Sequence, residues 1–245
     1  MKLERQDFRE HFIDRRDFFK QSAIGAMSLL VAANALFWRT QQAQAVELSA
    51  TTAQPLEPEA ALQKLMAGNE RFRQHQPQHP DQSAARLQAV SQVQHPFATI
   101  LSCADSRVPI ELIFDQGVGD IFDVRIAGNI ATPEVVGSLE YAVVFLGTPI
   151  LMVLGHERCG AVTAAVNSEV LPGAIGSLVK AILPAIEPHK GAKEDVIDLA
   201  VVANVRYQIA QLQRSHLLAE RLQAGTLKIV GGRYDLDAGN VTLLT

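Results

Sequence analysis

The sequence predicts an α/β fold with a central, mostly parallel β-sheet flanked by helices. Three short apolar runs with β-branched residues, at 97–102, 121–126 and 149–154, have the composition of strands that are buried on both faces. Segments of helical spacing lie between these runs, and strands that alternate with helices form parallel sheets. The composition, 48% hydrophobic and 20% charged residues, suits a globular domain and excludes a disordered or fibrous chain.

Helices are predicted where apolar side chains recur with the period of an α-helix. In chain order these segments are 59–73, 81–93, 109–114, 133–146, 174–186 and 194–222. Pro133 suits the first turn of its helix, where the backbone N–H that proline lacks would have no partner. A strand at 227–230 follows, and a turn at Asp237-Ala-Gly-Asn then separates two extended pieces in 234–244. No internal repeat or later linker divides this body, so we predict one domain over 59–245.

The first 45 residues have the order of an export signal. The sequence RRDFFK at 15–20 precedes an uncharged segment at 21–38, and Ala-Gln-Ala at 43–45 then marks a cleavage site. Paired arginines followed by Phe-Phe-Lys resemble the twin-arginine signal, which exports folded proteins across the bacterial inner membrane. We therefore expect a signal peptide at 1–45, a linker at 46–58 and a periplasmic mature protein.

Two alternatives remain open for the amino-terminal segment. The 18 residues of 21–38 are just long enough for an uncleaved membrane anchor. The arginine pair also fits a general secretory signal, although Phe-Phe-Lys and Arg39 favour the twin-arginine route. Each alternative places the body outside the cytoplasm. That body has more acidic than basic residues and no long basic run, which argues against a nucleic-acid partner and against docking on anionic lipid.

The chain has two cysteines, and each follows a predicted strand. Cys103 comes directly after 97–102, whereas His156 and Cys159 follow 149–154 and are three residues apart. Because α/β sheets bind ligands at the carboxyl ends of their strands, we expect these three side chains to converge. Two thiolates and an imidazole favour zinc, and three protein ligands with one open position are typical of catalytic zinc. The sequence therefore predicts one zinc ion per chain.

A disulfide is the alternative for two cysteines in an exported protein. The neighbouring residues favour the metal site, because a disulfide has no need of His156 beside one cysteine or of Asp105 and Arg107 beside the other. Asp105 and Arg107 follow Cys103 at steps of two, so in an extended stretch all three side chains point to one face. A carboxylate near the metal would then be held by a guanidinium.

Five motifs resemble those of the β-class carbonic anhydrases. The two most specific are Cys103-Ala-Asp105-Ser-Arg107 and His156-x-x-Cys159-Gly160. The others are Gly117-Val-Gly119-Asp120, Arg125-Ile-Ala-Gly128-Asn129 and Ser138-Leu-Glu140-Tyr141-Ala142. The similarity extends from about residue 58 to residue 244. One departure is Ile126, where many members of the family have a polar residue.

The resemblance implies the function of the site. In the family, the residues that match Cys103, His156 and Cys159 bind zinc. The residue that matches Asp105, paired with the match of Arg107, orients a zinc-bound hydroxide that attacks carbon dioxide. The implied activity is that of a zinc lyase, the reversible hydration of carbon dioxide to bicarbonate and a proton.

The resemblance also implies how substrate and a second subunit meet the site. Gln94 matches the glutamine that hydrogen-bonds bicarbonate near the metal, and Gly160 is assigned with it to substrate binding. The basic unit of the family is a dimer whose site lies close to the subunit boundary. We therefore expect a homodimer or a higher homo-oligomer, with no membrane as a partner after signal cleavage.

Two other functions fit the same ligands. The enzyme could hydrolyse carbonyl sulfide or carbon disulfide, since both present an electrophilic carbon similar to that of carbon dioxide. The protein could also be a non-catalytic exported zinc-binding protein in which Asp105 closes the fourth metal position. Arg107 argues against this second alternative, because it competes with zinc for the carboxylate.

Overall fold

The computed structural model describes residues 56–187 and 196–244. The predicted signal peptide at 1–45, its membrane-anchor alternative at 21–38 and most of the predicted linker lie outside these residues. Among the helices that are described, none combines the length and the apolar character that a membrane span requires.

Helices and strands alternate through most of the described chain. In order, they are α1 (Pro58–Arg73), α2 (Ala84–Val90), β1 (Ala98–Ser102), α3 (Ile110–Ile113), β2 (Ile121–Arg125), α4 (Pro133–Val144), β3 (Ile150–His156), α5 (Gly160–Val166), α6 (Ile175–Ile186), α7 (Val196–Leu212), α8 (His216–Gln223), β4 (Lys228–Tyr234) and β5 (Val241–Leu244).

Several elements differ from the sequence prediction, among them β4, which continues to Tyr234 instead of ending at Val230. The single helix expected at 194–222 is divided in two, because Ser215 Oγ accepts a hydrogen bond from the backbone N–H of Leu218 and thereby starts α8. β3 continues two residues past its apolar run and ends at His156. α5 begins directly after Cys159, in a segment for which the hydrophobic pattern predicts no helix.

The strands form one five-stranded sheet in the order β2-β1-β3-β4-β5. β2, β1, β3 and β4 pair in parallel, and β5 pairs with β4 in the antiparallel direction after the predicted turn at Asp237. This confirms the α/β fold with a mostly parallel sheet. All residues of β1 and β3 are buried because these strands lie inside the sheet, whereas β2, at its edge, is half-buried.

Helices cover both faces of the sheet. One face is covered by α1 and α3, whose buried side chains include Leu65, Ile110 and Ile113. The other face is covered by α4, α7 and α8, whose buried side chains include Leu139, Val205 and Leu218. Burial of each such side chain contributes roughly 1.5–3 kcal/mol. α7 lies close to β3 because Gly155 has no side chain, and a Cβ there would lie 2.7 Å from Val205 Cγ2.

The direction in which the chain crosses the sheet reverses between β1 and β3. From β1 the chain continues to β2 on one side, and from β3 it continues to β4 on the other. In α/β sheets a crevice opens at the carboxyl ends of the strands at such a point. Cys103 directly follows β1 and His156 ends β3, so the topology places both at this crevice.

Candidate metal centre

The structure brings Cys103, His156 and Cys159 together. One potential ligand atom from each lies within 4.8 Å of the others, and all three residues are buried. The two sulfurs are 4.0 Å apart and both cysteines are free, whereas a disulfide requires about 2.05 Å. Two thiolates on a tetrahedral zinc ion, each at about 2.3 Å, would be about 3.8 Å apart. The spacing of the sulfurs therefore excludes the disulfide and fits a shared metal ion.

The imidazole of His156 is oriented as a metal ligand. Its Nδ1 lies 2.8 Å from the backbone oxygen of Glu157, and because a carbonyl can only accept, Nδ1 carries the proton. Nε2 therefore presents a lone pair, yet it is buried and has no hydrogen-bond partner among the described residues. Burying a polar atom without a partner costs about 1–3 kcal/mol. A cation between the two sulfurs would satisfy Nε2.

The two cysteines differ in their environments. A hydrogen bond from the Cys159 thiol is the main cause that lowers the pKa of Cys103 to about 4, and the backbone N–H of Gly128 supports the same thiolate at 3.3 Å. The same hydrogen bond, with burial, raises the pKa of Cys159. Cys159 also precedes α5, whose Ala161 and Val162 amides partly oppose this effect. A divalent cation at this site would favour the thiolate form of both cysteines.

Asp105 and Arg107 form the predicted pair beside these ligands. Arg107 donates from Nε and Nη2 to the two carboxylate oxygens of Asp105 at 2.9 and 2.8 Å, and these bonds lower the pKa of Asp105. Asp105 Oδ2 lies 3.8 Å from His156 Nε2. The pair meets across a turn, in which the Val108 N–H donates to the Asp105 carbonyl, and not along an extended stretch as the sequence predicts. The result is an ionised carboxylate at the edge of the ligand set.

Arg125 supports the turn that carries Cys103 and Asp105. It donates from Nε to the backbone carbonyl of Cys103 at 3.1 Å and from Nη2 to that of Asp105 at 2.6 Å. The sequence alone gives no role for Arg125, although this residue belongs to a motif of the family. Its neighbour Ile126 packs, half-buried, against the apolar cluster behind the cysteines.

A second carboxylate, Asp123, lies close to this support. It accepts a hydrogen bond from Ser102 Oγ at 3.2 Å and faces Arg125 at 3.9 Å. Burial, together with the nearby carboxylate of Glu111, raises the pKa of Asp123 to about 6. Nothing in the hydrophobic pattern of β2 predicts a partly buried carboxyl group with a raised pKa.

The loop between β3 and α5 is held by the β4–β5 hairpin. The carboxylate of Glu157 accepts hydrogen bonds from Arg233 and from the backbone N–H of Leu236. Arg158, which has a left-handed φ of 50°, donates through both terminal nitrogens to Asp237 at 2.9 Å. These contacts fix the segment between His156 and Cys159, and they depend on a hairpin that lies about 80 residues further along the chain.

Gly160 and Gln94, the two predicted substrate-binding residues, lie near opposite ends of β1. Gly160 opens α5 next to Cys159, is exposed, and has open space where a side chain would be. Gln94 is exposed in the irregular segment that precedes β1, whereas Cys103 follows the other end of that strand. Five strand residues span about 16 Å. The structure therefore does not bring Gln94 to the metal ligands of its own chain.

Comparisons with known proteins identify the family. A family model described as carbonic anhydrase matches residues 98–241, which contain all three candidate metal ligands. The carbonic anhydrase of Mycolicibacterium smegmatis is 42% identical over 191 residues, which cover 76% of this chain and 93% of the relative.

Solved structures agree with the sequence comparison. The β-carbonic anhydrase CcaA superposes with a TM-score of 0.60 at 30% identity, covering 75% of this chain and 95% of that one. A tetrameric β-carbonic anhydrase of Sordaria macrospora, at 22% identity, shares the fold with a TM-score of 0.61, covering 73% of this chain and 90% of the other. With the family model and the mycobacterial relative, these matches show that the chain belongs to the β-carbonic anhydrase family.

Proposed function

We propose that this protein is a zinc-dependent carbonic anhydrase, which reversibly hydrates carbon dioxide to bicarbonate and a proton. The observation that carries the proposal is the buried Nε2 of His156, which has no protein partner in the described chain and faces two free sulfurs. Membership of the β-carbonic anhydrase family supports the same reaction.

Cys103, His156 and Cys159 would hold the zinc ion and leave one position open. Zinc bound in this way would lower the pKa of water to about 7 and so supply a nucleophile at neutral pH. The protein contributes a rigid set of donors. His156 is fixed through its Nδ1–H, and Cys103 is fixed by the Gly128 N–H.

Asp105 would orient the attacking oxygen. Its carboxylate stays ionised because Arg107 binds both of its oxygens, so it can accept a hydrogen bond and direct a lone pair of the nucleophile towards the substrate carbon. The same two bonds turn the carboxylate towards Arg107, which opposes its use as a fourth zinc ligand. This geometry favours a catalytic site over the non-catalytic alternative. Hydrolysis of carbonyl sulfide or carbon disulfide gains no support, since the relatives are named carbonic anhydrases.

A homodimer or higher homo-oligomer would complete the site. Gln94 is too far from the metal ligands of its own chain, so we assign substrate binding to Gln94 of the partner subunit. Three neighbouring aromatic side chains are available for subunit contact. Tyr141 on α4 and Phe145 directly after this helix are exposed and stacked at 5.5 Å between ring centres, and the half-buried Phe122 on β2 lies 6.3 Å from Tyr141. Phe145 is 77% exposed in the single chain.

Export by the twin-arginine route would place the enzyme in the periplasm. The order of arginine pair, uncharged segment and Ala-Gln-Ala at 43–45 supports this proposal. Cleavage after Ala45 would give a mature protein that begins at Val46. Changing both Arg15 and Arg16 to lysine should leave the precursor in the cytoplasm. Export of that variant at the unchanged rate would favour the general secretory route instead.

The metal and the activity can be tested together. The mature protein should contain about one zinc ion per chain and should hydrate carbon dioxide in a stopped-flow assay. His156→Ala should lose both properties, whereas His216→Ala, which changes an exposed histidine on α8, should lose neither. Full activity in metal-free protein would overturn the proposal. Zinc-loaded protein that is inactive even at alkaline pH would favour the non-catalytic alternative.

A further inference from the structure

Two amide side chains lie behind the metal centre, on α7. Asn204 and Gln208 are 0% and 2% exposed, one helical turn apart, and neither belongs to the motifs that identify the family. Buried amides are costly unless every donor and acceptor finds a partner. Their partners therefore indicate what these two residues do.

The partners join α7 to the loop after β2. Asn204 donates from Nδ2 to the backbone carbonyl of Gly128 at 2.9 Å, and its Oδ1 accepts from Gln208 Nε2 at 2.9 Å. Gln208 Oε1 accepts the backbone N–H of Ala131 at 2.9 Å. Because a carbonyl only accepts and a backbone N–H only donates, these two ends fix the orientation of both amides.

Gly128 connects this pair to the metal centre. Its carbonyl is held by Asn204, and its N–H donates to Cys103 Sγ at 3.3 Å. The residue adopts a left-handed φ of +77°, and a Cβ there would lie 2.6 Å from Ile182 Cδ1 on α6. A single glycine thus links a buried helix amide on one side to a candidate metal ligand on the other.

We infer that Asn204 and Gln208 are positioning residues for the metal centre. They hold Gly128 so that its N–H points at the Cys103 sulfur, which stabilises the thiolate and fixes its distance from His156 and Cys159. This inference rests on the proposed zinc site. Substitution of residues that support metal ligands in this way commonly lowers metal affinity by about 10- to 100-fold.

Asn204→Ala tests the inference through zinc release. The zinc-loaded mature protein is mixed with excess chromophoric chelator, and we expect release at least about tenfold faster than from the unchanged protein. Thr148→Val is the control, because Thr148 is also buried and its Oγ1 lies 2.6 Å from Thr99 Oγ1, near the ends of β1 and β3 that are opposite to the metal ligands. Its zinc release should change by less than about twofold even though the fold is weakened.

A spectroscopic measurement separates positioning from general loosening of the fold. In cobalt-substituted protein, the thiolate-to-cobalt charge-transfer band should shift in Asn204→Ala and stay unchanged in Thr148→Val. Asn204→Asp keeps the side-chain shape and the acceptor for Gln208 but removes the donor to Gly128. Asn204→Asp should therefore also show faster zinc release and a shifted charge-transfer band, and it replaces Asn204→Ala as the test if the alanine variant does not fold.

The outcomes distinguish this inference from the proposed function. Absence of zinc from the unchanged protein would overturn the proposed function itself. If the unchanged protein binds zinc and hydrates carbon dioxide, unaltered zinc release and an unaltered cobalt spectrum in a folded Asn204 variant would overturn the positioning role. Equal acceleration in Thr148→Val would also overturn it, because the effect would then follow from lost stability alone.

Discussion

The guanidinium of Arg125 donates to the backbone carbonyl of Asp105 at 2.6 Å. With its second bond, to the Cys103 carbonyl, Arg125 fixes two residues of the turn at once, one a candidate zinc ligand and the other the candidate orienting carboxylate. The two bonds use the planar fork of the guanidinium, which a lysine cannot reproduce.

We therefore expect Arg125→Lys to reduce kcat/KM by about tenfold or more, or about 1.4 kcal/mol of transition-state stabilisation, with zinc content unchanged. Stopped-flow hydration and metal analysis on the same sample would measure both. Arg73→Lys, at an exposed pair with Glu70, serves as the control. An Arg125→Lys enzyme with unchanged kcat/KM would show that the turn holds its geometry without these bonds.

Arg107→Ala should separate metal binding from catalysis. The substitution removes both side-chain bonds from Asp105, so the carboxylate can turn towards the ligand set, where Oδ2 already lies 3.8 Å from His156 Nε2. We expect activity to fall roughly 100-fold while zinc stays bound. Arg73→Ala, which removes an exposed pair on α1, should have a much smaller effect. Equal losses in the two variants would contradict a specific role for Arg107.

Asp123→Asn should stabilise the protein at neutral pH. Burial raises the pKa of Asp123 from 3.8 to about 6, so the folded chain keeps a proton that the unfolded chain releases. The contribution of this group to stability is therefore fully present below about pH 4 and is lost as the pH rises to about 6. The asparagine variant should gain on the order of 2 kcal/mol above pH 6 and nothing near pH 4.

Urea unfolding at the two pH values would measure this difference. The control is Glu169→Gln, which changes an exposed carboxylate and should change the free energy of unfolding by the same amount at both pH values. A gain for Asp123→Asn of the same size near pH 4 would mean that packing, and not the charge, causes the effect.

Gly128→Ala should destabilise the fold by about 1–3 kcal/mol, because the added methyl group overlaps Ile182 and the residue keeps a left-handed φ of +77°. The second substitution Ile182→Val shortens the side chain that causes the overlap. It should recover part of the loss but not the backbone strain. Thermal unfolding of the single and double variants measures the contributions of the steric overlap and of the backbone strain to the loss of stability. A double variant that is no more stable than Gly128→Ala would contradict the steric explanation.

The strands and their site could be predicted because both depend on local patterns. The apolar runs locate β1, β2 and β3, and parallel strands present their carboxyl ends at one edge, so the sequence predicts that Cys103 and His156 converge. The extension of β3 to His156 could not be read from hydrophobicity. That extension follows from backbone pairing with Tyr234 on β4, which no local pattern contains.

The residues that support the site were harder to predict. Arg125 acts on backbone carbonyls, and Asn204 reaches Gly128 across 76 residues of chain. Such contacts depend on how helices pack on the sheet, and an isolated arginine or asparagine in a sequence carries no sign of them. Gln94 shows the converse, because its motif match predicts proximity to the metal, whereas the length of β1 separates it from the ligands of its own chain.

The unsatisfied nitrogen of His156 couples metal loading to the conformational equilibrium of the whole chain. Any ion that binds the native state and not the unfolded chain stabilises the native state. Its removal restores the desolvation penalty of the buried Nε2 of His156. Chelation should therefore lower the melting temperature as well as halt turnover. In such an enzyme, the binding of the cation also makes the active site more rigid.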